Sequence, residues 1–233
     1  DAGVVTKAVP MRRNPDLVLV HTNIIANAPK RLFAAGLGDA LSTWFEARAC
    51  HKSGARTMAR GNVSNTGLMM ARLCYDLLME KGRAALSAVE RHEVTPELED
   101  VVEATIYLSG LGFENGGLAA AHAINDGFAQ EPQAHGMYHG EKVAFGTLTQ
   151  LVLEKAPQEE LEQVLSFLKD TGLPMTLAQL GVAEVVPETL HKVAEAACVP
   201  TQSTKNLRAD ITAQEVYDAI LEADRLGREW LAR

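Results

Sequence analysis

The chain has 233 residues, 47% of them hydrophobic, and its 22 Lys and Arg against 30 Asp and Glu give a formal net charge of −8. That length and apolar content can enclose one continuous core, while the acidic balance excludes the clustered Lys and Arg that nucleic-acid binders set against phosphate. Charged residues interrupt every apolar run short of the roughly 18–20 residues a bilayer crossing requires, and the N-terminus carries no secretory-signal pattern, so a cytoplasmic protein without membrane or nucleic-acid partners is expected.

In chain order, Asp1-Ala2-Gly3-Val4-Val5 reads as a turn entering a short apolar stretch, and Asn14-Pro15-Asp16 introduces Leu17-Val18-Leu19-Val20 as a strand. A lone strand forms no stable sheet. Residues 1–26 are therefore expected to be the short β remnant of, and linker from, another domain. From Asn27 onward apolar residues recur at spacings of three and four over residues 31–36, 39–51, 65–92, 96–111, 118–128 and 141–154. Further helices are expected over 158–169, 187–197 and 213–231, with Thr95-Pro96-Glu97 and Thr212-Ala213 supplying cap and first-turn chemistry. This is the pattern of an all-α multi-helix bundle, one domain over residues 27–233, with no βαβ alternation.

Gly36-Leu37-Gly38 and Asn115-Gly116-Gly117 read as connections between helices. No GxGxxG follows a strand and no GxxxxGK[ST] occurs, so no dinucleotide or P-loop fingerprint is present. Cys50, Cys74 and Cys198 are odd in number, far apart and set in apolar helical surroundings, which predicts reduced core thiols.

The residues with most chemistry are Asp39, His122 and His139, each in apolar or small-residue company. A carboxylate with two imidazoles suits zinc, and three protein ligands leave a position open for water or substrate. A histidine flanked by alanines on a helix is more often packed and hydrogen-bonded to backbone than a metal ligand, so the residues alone suggest the site without establishing it. His51 and His135 read as solvated or packed, and Glu114 and Lys142 as solvated or paired charges.

Three separated segments then carry a resemblance: GLGDALSTWFEARAC at residues 36–50, GFENGGLAAAHA at 112–123 and HGEKVAFGT at 139–147. In this order they resemble the glycerol dehydrogenase family, over the chain from Asn14 to its last residue. The resemblance implies a dehydroquinate synthase-like helical domain in which Asp39, His122 and His139 match the family's zinc ligands. It also implies NAD-dependent oxidation of glycerol to dihydroxyacetone, with zinc binding and activating the diol.

Iron-dependent members of the larger superfamily place a histidine four residues after the aspartate, where this chain has Thr43, and that favours zinc over iron. Many family members carry a histidine three residues after the first ligand histidine, where this chain has Asn125. Phe113 is a candidate apolar wall of the substrate pocket, helix packing being its other reading.

The resemblance also implies an N-terminal α/β domain that holds NAD, which is expected to be missing from these 233 residues. The chain is accordingly expected to be the metal-binding half of the enzyme, poorly active alone, and the resemblance implies a homo-oligomer such as an octamer. The alternatives are another zinc-dependent polyol or alcohol dehydrogenase, or a non-catalytic helical metal-binding module.

Overall fold

The computed structural model describes residues 13–233; the turn and apolar stretch expected at residues 1–5 lie outside them. Among the described residues no strand forms. Residues 17–20 have no regular structure, and Leu17, Val18 and Leu19 are 76%, 62% and 87% exposed. A strand needs a partner to take up its backbone N–H and C=O groups, and among the described residues none pairs with this segment. The described residues form an all-α fold.

The helices are α1 (Thr22–Ala26), α2 (Lys30–Ser53), α3 (Asn65–Glu90), α4 (Pro96–Glu103), α5 (Ser109–Gly116), α6 (Ala120–Gly127), α7 (His139–Leu153), α8 (Gln158–Thr171), α9 (Pro187–Ala197) and α10 (Ala213–Leu231). The expected caps operate. Thr95 Oγ1 accepts from Leu98 N at 3.3 Å at the start of α4. At α10, Thr212 Oγ1 accepts from Glu215 N while Glu215 Oε2 accepts from Thr212 N at 2.8 Å, a reciprocal capping box.

Two expectations are corrected. The helices expected over 31–36 and 39–51 are one helix, α2, because Gly38 does not break it. A methyl group at Gly38 would lie 2.5 Å from the carbonyl oxygen of Gly140, so the missing side chain lets α7 come close to α2. The helix expected over 96–111 is interrupted by a π-helical turn at Ala104–Leu108, where Thr105 Oγ1 donates to Val101 O at 2.9 Å. The second glycine-dense piece does end a helix: Gly117, at φ +88°, follows the last residue of α5 in a conformation that favours glycine.

The central helix is α2, which packs along α3 and α7, and α7 in turn lies against α6. Phe45, Phe128, Phe145 and Phe167 are fully buried with Leu37, Leu41 and Leu148, each such side chain contributing about 1.5–3 kcal/mol by its removal from water. Phe128 and Phe145 meet edge to face at 5.9 Å, joining the end of α6 to α7. These contacts fix the junction of α2, α6 and α7.

Cys50, Cys74 and Cys198 are free. Burial pushes the Cys50 and Cys74 thiols up to about 12, the Glu46 charge adding to the effect at Cys50, which keeps both protonated and unreactive. Among the described residues no helix is long and apolar enough to cross a membrane.

Candidate metal centre

At the α2–α6–α7 junction, α2 presents Asp39, α6 presents His122, and α7 begins at His139. The close approach at Gly38 and Gly140 places the residue after one glycine beside the residue before the other. Asp39 Oδ1 lies 3.3 Å from Nε2 of His122 and 3.3 Å from Nε2 of His139. The two rings are 5.3 Å apart at 48°, and one ligand atom from each of the three residues falls within 4.8 Å of the others.

Asp39 Oδ1 is buried and has no hydrogen-bond partner. Buried polar atoms are ordinarily paired, and a carboxylate oxygen that sits 3.3 Å from two imidazole nitrogens without a well-aligned hydrogen bond to either fits a cation shared by all three. The side chains of Asp39, His122 and His139 are 44%, 20% and 53% exposed, so the cluster is open on one side. It opens into a cavity of about 390 Å³ lined also by Ser42, Thr43, Thr105, Ser109, Phe113 and Leu118. The π-turn thus contributes to the wall through Thr105, with Ser109 directly after it, and Ser109 Oγ lies 3.0 Å from Thr43 Oγ1.

Burial works against an imidazolium at His122, but the Glu46 charge and the interactions with Asp39 and Glu46 outweigh it and raise the group to about 10. Burial likewise opposes the charge on Asp39, yet the interactions with His122 and His139 hold its carboxyl below the usual carboxylate range. A metal ion would take the place of the proton that this arrangement attracts.

Glu46 is fully buried, seven residues beyond Asp39 on the same face of α2. Its Oε2 lies 2.6 Å from His122 Nδ1. Its Oε1 accepts from Ala119 N at 2.8 Å and from His122 N at 3.1 Å. From α7, Gln150 Oε1 accepts from Ala120 N and Ala121 N, both at 3.0 Å. Two side chains from flanking helices therefore satisfy the consecutive N–H groups at the start of α6 that no helical carbonyl can reach. Gln150 Nε2 donates to Glu154 Oε1 at 2.8 Å, and Arg48 bridges Glu154 at 3.0 Å and Glu160 at 2.6 Å.

The sequence reading did not single out Glu46 or Gln150. For Glu46 a signal existed: a carboxylate between Phe45 and Ala47, one heptad from Asp39. Of the other expectations, Phe113 lines the cavity. His51 and His135 are exposed and stand apart from the cluster, His135 Nε2 lying 3.0 Å from Ala129 O. Glu114 Oε2 accepts from Asn14 Nδ2 at 2.9 Å. Lys142 is half-buried, and burial lowers its ammonium with the Asp126 charge opposing. Asn125 bonds Asp126 at 3.0 Å and is not among the grouped residues.

No family model matches the chain. Among curated proteins it is 54% identical over 231 residues to a glycerol dehydrogenase of Escherichia coli O6:H1, an alignment covering 99% of this chain and 63% of that protein. It is 50% identical over 231 residues to a glycerol dehydrogenase of Pseudomonas putida, with the same two coverages. The solved structure of glycerol dehydrogenase from Schizosaccharomyces pombe superposes at a TM-score of 0.96 with 39% identity, covering 99% of this chain and 59% of that one. The chain spans about 63% of the length of the two curated relatives.

Proposed function

We propose that the chain, 54% identical to one glycerol dehydrogenase and 50% identical to another over 99% of its length, is the metal-binding helical half of an enzyme that oxidises glycerol to dihydroxyacetone with NAD. The observation that carries the reading is the convergence of Asp39, His122 and His139 around a buried carboxylate oxygen that has no partner.

The residues fit a metal ion: one carboxylate and two imidazoles are a donor set suited to zinc, and three protein ligands leave room for a substrate oxygen. Asp39, His122 and His139 would hold the ion. When bound, zinc supplies Lewis-acid stabilisation to a substrate hydroxyl and takes no redox part. The chain's own residues do the rest. Glu46 orients His122, Phe113 gives the cavity an apolar wall, and Thr43 and Ser109 give it hydroxyls that can bond the second hydroxyl of a diol.

In this reading residues 27–233 are the helical metal domain and residues 1–26 belong to the join with an α/β domain that holds NAD, so these 233 residues alone bind metal but turn over poorly. The enzyme works in the cytoplasm as a homo-oligomer. The test is zinc content together with glycerol-dependent NADH formation by the protein that carries both domains, with 1,2-propanediol and ethanol alongside. Zinc near one per chain and a preference for vicinal diols support the reading. Turnover indifferent to zinc removal would overturn it, and a preference for ethanol would move the substrate to simple alcohols.

A further inference from the structure

The proposal here rests on the metal-site reading and concerns how His122 is held. Glu46 does two things with one buried carboxylate. Its Oε1 accepts the backbone N–H groups of Ala119 and His122, which fixes the position of the His122 Cα, and its Oε2 lies 2.6 Å from the ring Nδ1, which fixes the ring. With Oε1 accepting two N–H groups, this carboxyl group acts as an acceptor, and the matching arrangement at Oε2 is one in which the ring Nδ1–H donates. A neutral imidazole carries one such hydrogen, and with it on Nδ1 the Nε2 atom offers a lone pair. That Nε2 is the atom 3.3 Å from Asp39 Oδ1.

We propose that Glu46 is a positioning residue of the metal centre, selecting the His122 tautomer whose Nε2 can ligate and locking the start of α6 so that this nitrogen faces Asp39 and His139. Gln150 completes the lock on the neighbouring Ala120 and Ala121 N–H groups but does not touch the ring, so the two side chains divide the work. Backbone support is shared between them, while tautomer selection belongs to Glu46 alone. Exclusion of solvent strengthens the effect, because Glu46 is 0% exposed and no water competes for the contact.

Glu46→Gln separates these roles. The amide can still offer one oxygen to the α6 backbone, but its NH2 group then faces Nδ1 and favours the tautomer that places hydrogen on Nε2. Zinc affinity, measured by competition with a chelator, is expected to weaken about 10–100-fold in folded Glu46→Gln, and to change far less in Gln150→Ala, which loses cap bonds without touching the ring.

A second measurement needs no variant. In wild-type protein loaded with cadmium-113, nitrogen NMR is expected to find the coupling to the metal at His122 Nε2 and the proton on Nδ1. Coupling through Nδ1 overturns the proposal, and so does wild-type affinity in Glu46→Gln. If Glu46→Gln does not fold, the wild-type nitrogen assignment decides. If wild-type protein binds neither zinc nor cadmium, the metal-site reading itself fails, an outcome distinct from metal binding that ignores Glu46.

Discussion

Gly140, the second residue of α7, lies so close to Ala35 of α2 that a methyl group on it would overlap the Ala35 carbonyl oxygen. Backbone cannot yield there as the end of a flexible side chain would. Gly140→Ala is therefore expected to destabilise the fold by about 1–3 kcal/mol, the usual cost of overpacking, and to weaken zinc binding by moving the neighbouring His139 away from Asp39. Gly36→Ala, two residues before Gly38 in α2 with open space around it, should gain about 0.5–1 kcal/mol of helix stability. Urea unfolding and metal titration of the pair check both; equal stability of the two variants would contradict the packing account.

Asp39 carries the only negative charge among the three grouped residues. Asp39→Asn keeps the shape and removes the charge. Zinc affinity should fall by more than the roughly 10–100-fold expected from losing an outer partner, with the helical circular dichroism unchanged. Wild-type affinity in this variant would remove Asp39 from the ligand set.

Arg48 is 17% exposed and bridges Glu154 and Glu160, and Glu154 in turn holds Gln150. Removing it leaves two poorly solvated carboxylates uncompensated, which costs about 3–5 kcal/mol when such a pair is fully buried and somewhat less here. Arg72→Ala, which breaks the exposed Arg72–Asp76 pair, should cost under about 1 kcal/mol. Chemical denaturation of Arg48→Ala and Arg72→Ala tests the ranking, and a reversed order would refute it.

The N–H of Thr212, then Arg208 and the Thr212 hydroxyl, hold the Glu215 carboxyl down at about 2. A carboxyl lowered on folding adds stability above its ordinary value of 4.5, and that contribution is lost as pH falls toward about 2. Glu215→Gln should therefore be less stable than wild type at neutral pH, with the gap closing as the pH is lowered through that window. Unfolding curves at several pH values test this, and a gap that widened in acid would be the wrong sign.

The helix pattern was legible because each long helix shows one apolar face to the core, as in α3 and α10, and because Thr95 and Thr212 cap in the way their side chains allow. The ends of α2 were not legible at Gly36-Leu37-Gly38, since a glycine that admits another helix and a glycine that ends its own look the same in one dimension. The π-turn at Ala104–Leu108 left no mark either, its extra residue being absorbed within an unbroken apolar period. Of the site, the candidate residue types could be seen, but their meeting could not: His122 lies 83 positions after Asp39, and that distance closes only through the packing of α6 and α7 on α2. Glu46 went unread because its partners, the N–H groups of Ala119 and His122 and the His122 ring, lie 73 and 76 residues further along the chain and meet it only through packing.

The placement of Asp39 and Glu46 two turns apart on the unbroken α2 also bears on how this protein can change over evolutionary time. Inserting or deleting one residue between positions 39 and 46 would rotate everything beyond it by about 100° and translate it by about 1.5 Å, swinging the carboxylate that supports His122 out of reach even if every side chain were retained. Substitutions can drift along the solvent side of α2, but its length between those two positions is not free to vary. The connection between α2 and α3, residues 54–64, carries none of the three grouped residues, so a change of length there would not shift Asp39 against Glu46.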